Sequence, residues 1–426
     1  MQLHKSGLMI FLSLMLLVIP ILSACDDDDG TKEPTATPTA TVTPIEPTED
    51  VKITIGNISD MTGPASGALL TVNMALDDMI RYANEENLIP GVELDVLHYD
   101  SQYNPANDIP AYEWLKDRGA DIFFTGLPTT PITLMPRVNQ EKVVLMTAGA
   151  DELYHDPPGY IFGLMAGFGE VAKTLLKWVA DNDWDWQTNG PAKIGMVAWN
   201  SSSFHATQDG AKAYIEDHPE QFEWQGDYLT DRSFAWGAEV AVSKDWDYLL
   251  PPGAALATLV KQYRDAGGKA KFLMEQTQSP FIGVLTDARL WDEIDGSLFA
   301  LPAPYWHEED AAVVALARYL LTEYHSEGEL QEQISSGNTY LGMVHQVYGF
   351  IEIIRQAVDS AGAENFSQEA LYDTLISFSM DYGEAYEPWS FSETDRFSYD
   401  HLAMYRADAA QQTLVRVDPE WIPIIK

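Results

Sequence analysis

Three short stretches carry residues able to hold a small polar molecule: Asp60-Met61-Thr62-Gly63-Pro64, Thr125-Gly126-Leu127-Pro128-Thr129-Thr130-Pro131 and Thr147-Ala148-Gly149-Ala150-Asp151. Glycine allows close approach of a backbone N–H, threonine supplies a hydroxyl, and aspartate supplies a charge. Such loops can present N–H groups and hydroxyls to a carboxylate, and an Asp to an ammonium group. One alone is an ordinary turn, because these are also turn residues. Their recurrence after successive apolar runs is the signal.

The elements that must position them follow from periodicity. Val51, Ile53 and Ile55 form a β-branched strand ahead of the first loop. Leu69, Val72, Met74, Ala75, Met79 and Ile80 then recur at helical spacing, and Val92, Leu94, Val96 and Tyr99 alternate as a second strand after the Pro90-Gly91 turn. Strand, loop, helix and strand make one right-handed βαβ unit, whose first loop faces the crevice at the carboxyl edge of a parallel sheet. The pattern continues with a helix over 108–121, a buried strand at Ile122-Phe123-Phe124, a helix over 132–140 and a strand over 143–146. After a helix over 170–180 and a polar, Trp-containing connection, the alternation restarts. Strands are expected at 194–198, 222–229, 247–250, 271–274 and 298–301, with helices at 206–215, 256–266, 310–324 and 341–361. The tail, 389–396 and 402–417, reads as short strands.

The first 24 residues are not part of this body. His4 and Lys5 precede an apolar run from Leu8 to Leu22, shorter than the ~20 residues a bilayer span needs, which reads as a secretory signal. Leu22-Ser23-Ala24-Cys25 resembles the lipobox of bacterial lipoproteins, which implies cleavage before Cys25 and lipid attachment to it. Cys25 is the sole cysteine, so no disulfide and no cysteine metal site is available. Residues 25–50 join the acidic run Asp26–Asp29, a solvated charge block, to a Thr/Pro tether with no apolar face to bury.

About 375 further residues are too many for one core and suggest two. The net charge of −40 argues against nucleic acid and anionic lipid surfaces as partners. The 12 Trp and 20 Tyr are numerous enough for some to line a cleft for an organic ligand. Enzyme motifs are missing: there is no Gly-x-Ser-x-Gly elbow, no phosphate loop, and Gly163 with Gly167-Phe168-Gly169 is a broken dinucleotide pattern. His307-Glu308-Glu309-Asp310 reads as acids at a helix start rather than metal ligands. No metal or cofactor is expected.

Several segments, in order, carry a family resemblance: Ile55 with Met61-Thr62-Gly63-Pro64, Gly126–Thr130, Met146–Asp151, Lys261–Gly267, Asp295–Leu298 and Gln346–Phe350 with Ala357. Over residues 51–420 the chain resembles the type I periplasmic binding proteins, in the branched-chain amino-acid (Leu/Ile/Val) receptor branch of ABC importers. The resemblance implies an α/β fold of two αβα, Rossmann-like lobes with mostly parallel central sheets, joined by three crossings near Gly163, Pro302 and Asp381. Lobe one would be 51–163 plus 303–380, and lobe two 164–302 plus 381–426.

The resemblance also implies ligand contacts. Thr130, with Thr129 beside it, matches a Ser or Thr that binds the ligand carboxylate. Gly149, next to Ala148, matches a backbone contact, and Asp151 a threonine near the ammonium group. Phe204 matches a stacking tyrosine, and Gln276 or its neighbour Glu275 an acid. Ser66 closes a first loop shorter than the family's. Asp151 and Gln276 depart from the usual residues, so a branched-chain or other hydrophobic amino acid, an amide and an aromatic acid all stay open as ligands. The segment 227–244 does not align. The expected protein is a monomeric, lipid-anchored receptor on the outer face of the cytoplasmic membrane, serving a permease and ATPases without chemistry of its own. Its rivals are a ligand-sensing module for a membrane receptor and a secreted α/β hydrolase.

Overall fold

The computed structural model describes residues 50–155, 157–381 and 389–426. The expected leader, Cys25 and the Thr/Pro tether lie outside them. In the first lobe, β1 (Val51–Ser59), β2 (Val92–Asp100), β3 (Ile122–Thr125), β4 (Leu145–Thr147) and β5 (Ile161–Gly163) form a parallel sheet in the order β2-β1-β3-β4-β5. Strand β3 is buried along its whole length because helices cover both faces of the sheet. Its neighbours part accordingly: Phe124 joins the large core with Ile53 and Leu76, while Phe123 joins a second core with Tyr112, Leu115, Leu134 and Val138. The helix Ser66–Glu85 buries Leu69, Val72, Leu76, Met79 and Ala83 and packs on the long helix Thr339–Ala361. Helices Asp108–Lys116 and Thr130–Glu141 cover the opposite face.

The second lobe holds β6 (Ala192–Trp199), β7 (Phe222–Thr230), β8 (Tyr248–Leu250), β9 (Lys271–Glu275) and β10 (Leu298–Leu301), all parallel. A small ribbon pairs β11 (Ser379–Met380) with β12 (Trp389–Ser390). Strands β13 (His401–Asp408), β14 (Thr413–Arg416) and β15 (Ile422–Pro423) then extend the second sheet antiparallel, giving the order β14-β13-β10-β9-β8-β6-β7 with β15 on β13.

Three segments cross between the sheets. The first follows β5, and its Gly163 N–H donates to Arg396 O at 2.8 Å while Gly163 O accepts from Ser398 N at 3.1 Å, so it runs beside the third, the segment between β12 and β13 that holds Arg396–Ser398. Arg396 is fully buried there, donating to Gly159 O (3.1 Å) and the Tyr372 hydroxyl (3.1 Å) with its guanidinium 4.5 Å from the Phe162 ring. The second crossing follows β10. Its Glu308 accepts from Tyr305 N (2.9 Å), from Arg416 (2.9 Å) and from the Tyr405 hydroxyl, which ties it to the second sheet. Glu308 is thus a structural anchor and not the helix-start acid expected, since the following helix begins only at Ala312 and has no acid in its first turn.

Differences from the sequence reading fall on short or polar elements. Strand β5 has three residues, and the helices Glu327–Ser336 and Gln368–Leu375 carry few apolar positions. Both helices nonetheless have serine caps, Ser326 accepting from Glu329 N and Ser367 from Ala370 N. The expected helix over 108–121 stops at Lys116. In the segment that does not align, β7 runs to Thr230 and a helix spans Gly237–Ser243.

Candidate ligand-binding cleft

Because β1, β3 and β4 are parallel, their following loops share one edge of the first sheet. The loop after β1 is held from within. Asp60 is fully buried and accepts from Gly63 N (2.5 Å) and Ala65 N (2.7 Å). Asp100, at the end of β2, accepts from Thr62 Oγ1 (2.6 Å), Met61 N (2.9 Å) and Gln102 N (3.0 Å). Burial alone would raise the Asp100 carboxyl, but these donors outweigh it and hold the group below its ordinary value. Ser66 is half-buried and opens the helix, its N–H on Gly63 O at 3.2 Å.

The other two loops are tied together, Ala148 N donating to Thr125 O at 3.0 Å. Thr129 is half-buried at the cap position of its helix. Thr130 differs: its side chain is fully buried and its hydroxyl donates to Asp108 Oδ1 at 3.1 Å, inside the lobe. Burial lifts Asp108 to about 6, even though the hydroxyls of Thr130 and Thr133 favour its charged form. Ala148 and Gly149 are half-buried at the loop tip, and Gly149 N donates to Thr147 Oγ1 at 3.1 Å. Asp151 is 7% exposed and caps its own turn, accepting from Leu153 N at 3.0 Å. A ligand ammonium would have to compete with that N–H.

From the second lobe, β9 ends in Glu275, followed by Gln276. Glu275 is 3% exposed and accepts from Thr277 N through Oε2 (3.1 Å), while its Oε1 has no hydrogen-bond partner among the described residues. Burial pushes its carboxyl up to about 7. Gln276 donates to Ala166 O, just past the first crossing, at 3.3 Å, and its Oε1 also has no partner among the described residues. Phe204 is buried in the helix Ser202–Asp217. Two surface hollows, about 390 Å³ around 180–187 and about 510 Å³ around 356–377, include none of these tips.

Residues 52–412 match the family model described as "Periplasmic binding protein". The chain belongs to the periplasmic binding protein family. Its fold is shared by solved structures of low identity. One is a branched-chain amino-acid ABC transporter protein from Thermus thermophilus with bound valine (20% identity, TM-score 0.74, 88% of this chain and 97% of that one). A second is a fatty acid ABC transporter substrate-binding protein from Thermomonospora curvata (16%, TM-score 0.72, 88% and 92%). A third is a solute-binding protein from Rhodopseudomonas palustris HaA2 with p-hydroxybenzoic acid (14%, TM-score 0.69, 88% and 97%). No curated protein matches the chain by sequence.

Membership of this family places this periplasmic binding protein outside the cytoplasm. Among the described residues, no helix is long and apolar enough to cross a membrane, and no group of side chains is arranged to hold a metal ion. Two residues that the sequence did not single out meet between the loops of the two sheets. Arg232, in the loop after β7, lies 4.5 Å from the ring of Tyr103, in the loop after β2. Neither belongs to a recognisable motif, and Arg232 falls in the segment that does not align.

Proposed function

We propose that this receptor captures a small organic ligand bearing N–H donors, an amino acid or an amide of similar size, between two lobes, and delivers it to an ABC permease. The observation that carries the ligand class is the pair of buried acceptors, Glu275 Oε1 and Gln276 Oε1, which find no donor among the described residues. A buried polar atom left unpaired is costly, and a ligand ammonium or amide would supply what they lack. The raised Glu275 carboxyl would be drawn to its charged form by such a cation. Thr129, the Gly149 loop and Ser66 would face the ligand's carboxylate end from the first lobe. Asp151 and Phe204 would border it.

The lobes would span 51–163 plus 303–380, and 164–302 plus 381–426, turning about the three crossings. Greater affinity for the closed arrangement would set the population the permease recognises. Lipid on Cys25 would hold a monomeric receptor at the outer face of the membrane, and no catalysis is involved. Substituting Cys25→Ser should release the protein into the soluble fraction.

An aromatic acid is the second reading. It is favoured by Phe234, which is 57% exposed and packs edge-on against Trp199 at 5.3 Å at the rim of the second lobe. A thermal-shift panel of leucine, valine, phenylalanine, leucinamide, benzoate and 4-hydroxybenzoate separates the two. The proposal expects the amino acids or the amide to raise Tm. A shift with the benzoates alone would favour the second reading, and no shift at all would sink both.

A further inference from the structure

We infer that Arg232 and Tyr103 form a latch that fastens the two lobes at the end of the cleft remote from the crossings. Strand order carries the inference. In the first sheet β5 adjoins the first and third crossings, and β2 is the opposite edge. In the second sheet β10 leads into the second crossing and β13 follows the third, and β7 is the far edge in that direction. Tyr103 follows β2 and Arg232 follows β7, so their 4.5 Å stacking joins the strands farthest from the hinge. A contact there exists only while the lobes are together, whereas contacts beside the crossings persist as they part.

Both partners are held by their own lobes. Gln102 and Tyr103 adopt left-handed backbone (φ 56° and 51°), uncommon for residues other than glycine. Their loop is fixed by Ser101 N on Ser59 O (2.8 Å) and by Asn107 Nδ2 on Ser101 O (3.0 Å). On the other side, Trp199 Nε1 donates to Ser233 O (2.8 Å) and Gln262 Nε2 to Phe234 O (2.8 Å), so the backbone next to Arg232 is anchored at two points. Arg232 itself is exposed, and among the described residues it makes no ion pair, although the chain has 65 acidic residues. An aromatic face is its partner, and that attraction strengthens as closure excludes water.

The latch rests on the two-lobe capture reading, and its test needs no ligand, so the two fail separately. Spin labels go on Gly67→Cys and Gly237→Cys in the full chain carrying Cys25→Ser. Both glycines are exposed, and a Cβ at either would meet nothing within 4 Å. Arg232→Ala and Tyr103→Leu should each lengthen or broaden the label-to-label distance in the ligand-free protein, and the double variant should go no further than either. Arg232→Lys, which keeps the cation, should fall between, and it also stands in if the alanine variant does not fold. Unchanged distances in the single variants, or shifts that add in the double variant, would overturn the latch. If valine binds in the thermal-shift panel, its affinity should fall ~3- to 30-fold in Arg232→Ala, since lost closed-state population lowers apparent affinity by the same factor.

Discussion

The Thr130 hydroxyl donates to Asp108 Oδ1 at 3.1 Å, so the first residue of its helix faces the lobe interior and leaves Thr129 as the half-buried hydroxyl of that loop. Thr130→Val keeps the side-chain shape and removes the donor from a buried carboxyl. It should destabilise the protein by about 1–3 kcal/mol in urea unfolding and leave ligand affinity unchanged. Loss of binding at unchanged stability would return Thr130 to the site.

Glu275 gives a pH signature. Its carboxyl rises from 4.5 to about 7 on folding, so between those values the folded state holds more proton than the unfolded one. Its contribution is therefore most favourable below pH 4.5 and is lost as pH rises toward 7, by on the order of 3 kcal/mol at most. Glu275→Gln removes the titration. The variant should gain stability relative to the native protein as pH goes from 4.5 to 7, read as the difference between the two Tm profiles. Parallel profiles would show that Glu275 is not buried in the acid form.

Gly349 meets a steric limit. A Cβ there would overlap the ring of Trp389, which packs edge-on to His345 at 5.1 Å and Tyr399 at 4.7 Å where the long first-lobe helix meets the third crossing. Gly349→Ala should cost ~2–3 kcal/mol in denaturant unfolding. An alanine variant as stable as the native protein would mean that this packing is loose.

Much of this architecture is legible in the sequence because long apolar runs leave little choice. Ile122-Phe123-Phe124, apolar throughout, fits a strand covered on both faces, and Leu69 through Ile80, apolar at helical spacing, fits a helix on its sheet. The loops after β1, β3 and β4 follow from those strands. Finer detail depends on partners distant in sequence. Whether Thr129 or Thr130 faces outward is decided by Asp108, 22 residues earlier. Arg232 gains meaning only from Tyr103, which a different lobe supplies. The helix Glu327–Ser336 buries only Leu330 and Gln333, too few positions for a periodic signal, and β5 is too short to show one.

Calorimetric titration of the ligand found in the thermal-shift panel, against the native protein, Thr129→Ala and Gln276→Ala, tests the shared cleft most directly. These residues belong to different lobes, Thr129 after β3 and Gln276 after β9. One site per chain is expected, with affinity lowered at least ~5-fold by each substitution, the loss of about one hydrogen bond. Affinity that falls with one substitution and is untouched by the other would place the ligand on a single lobe and contradict capture between the two.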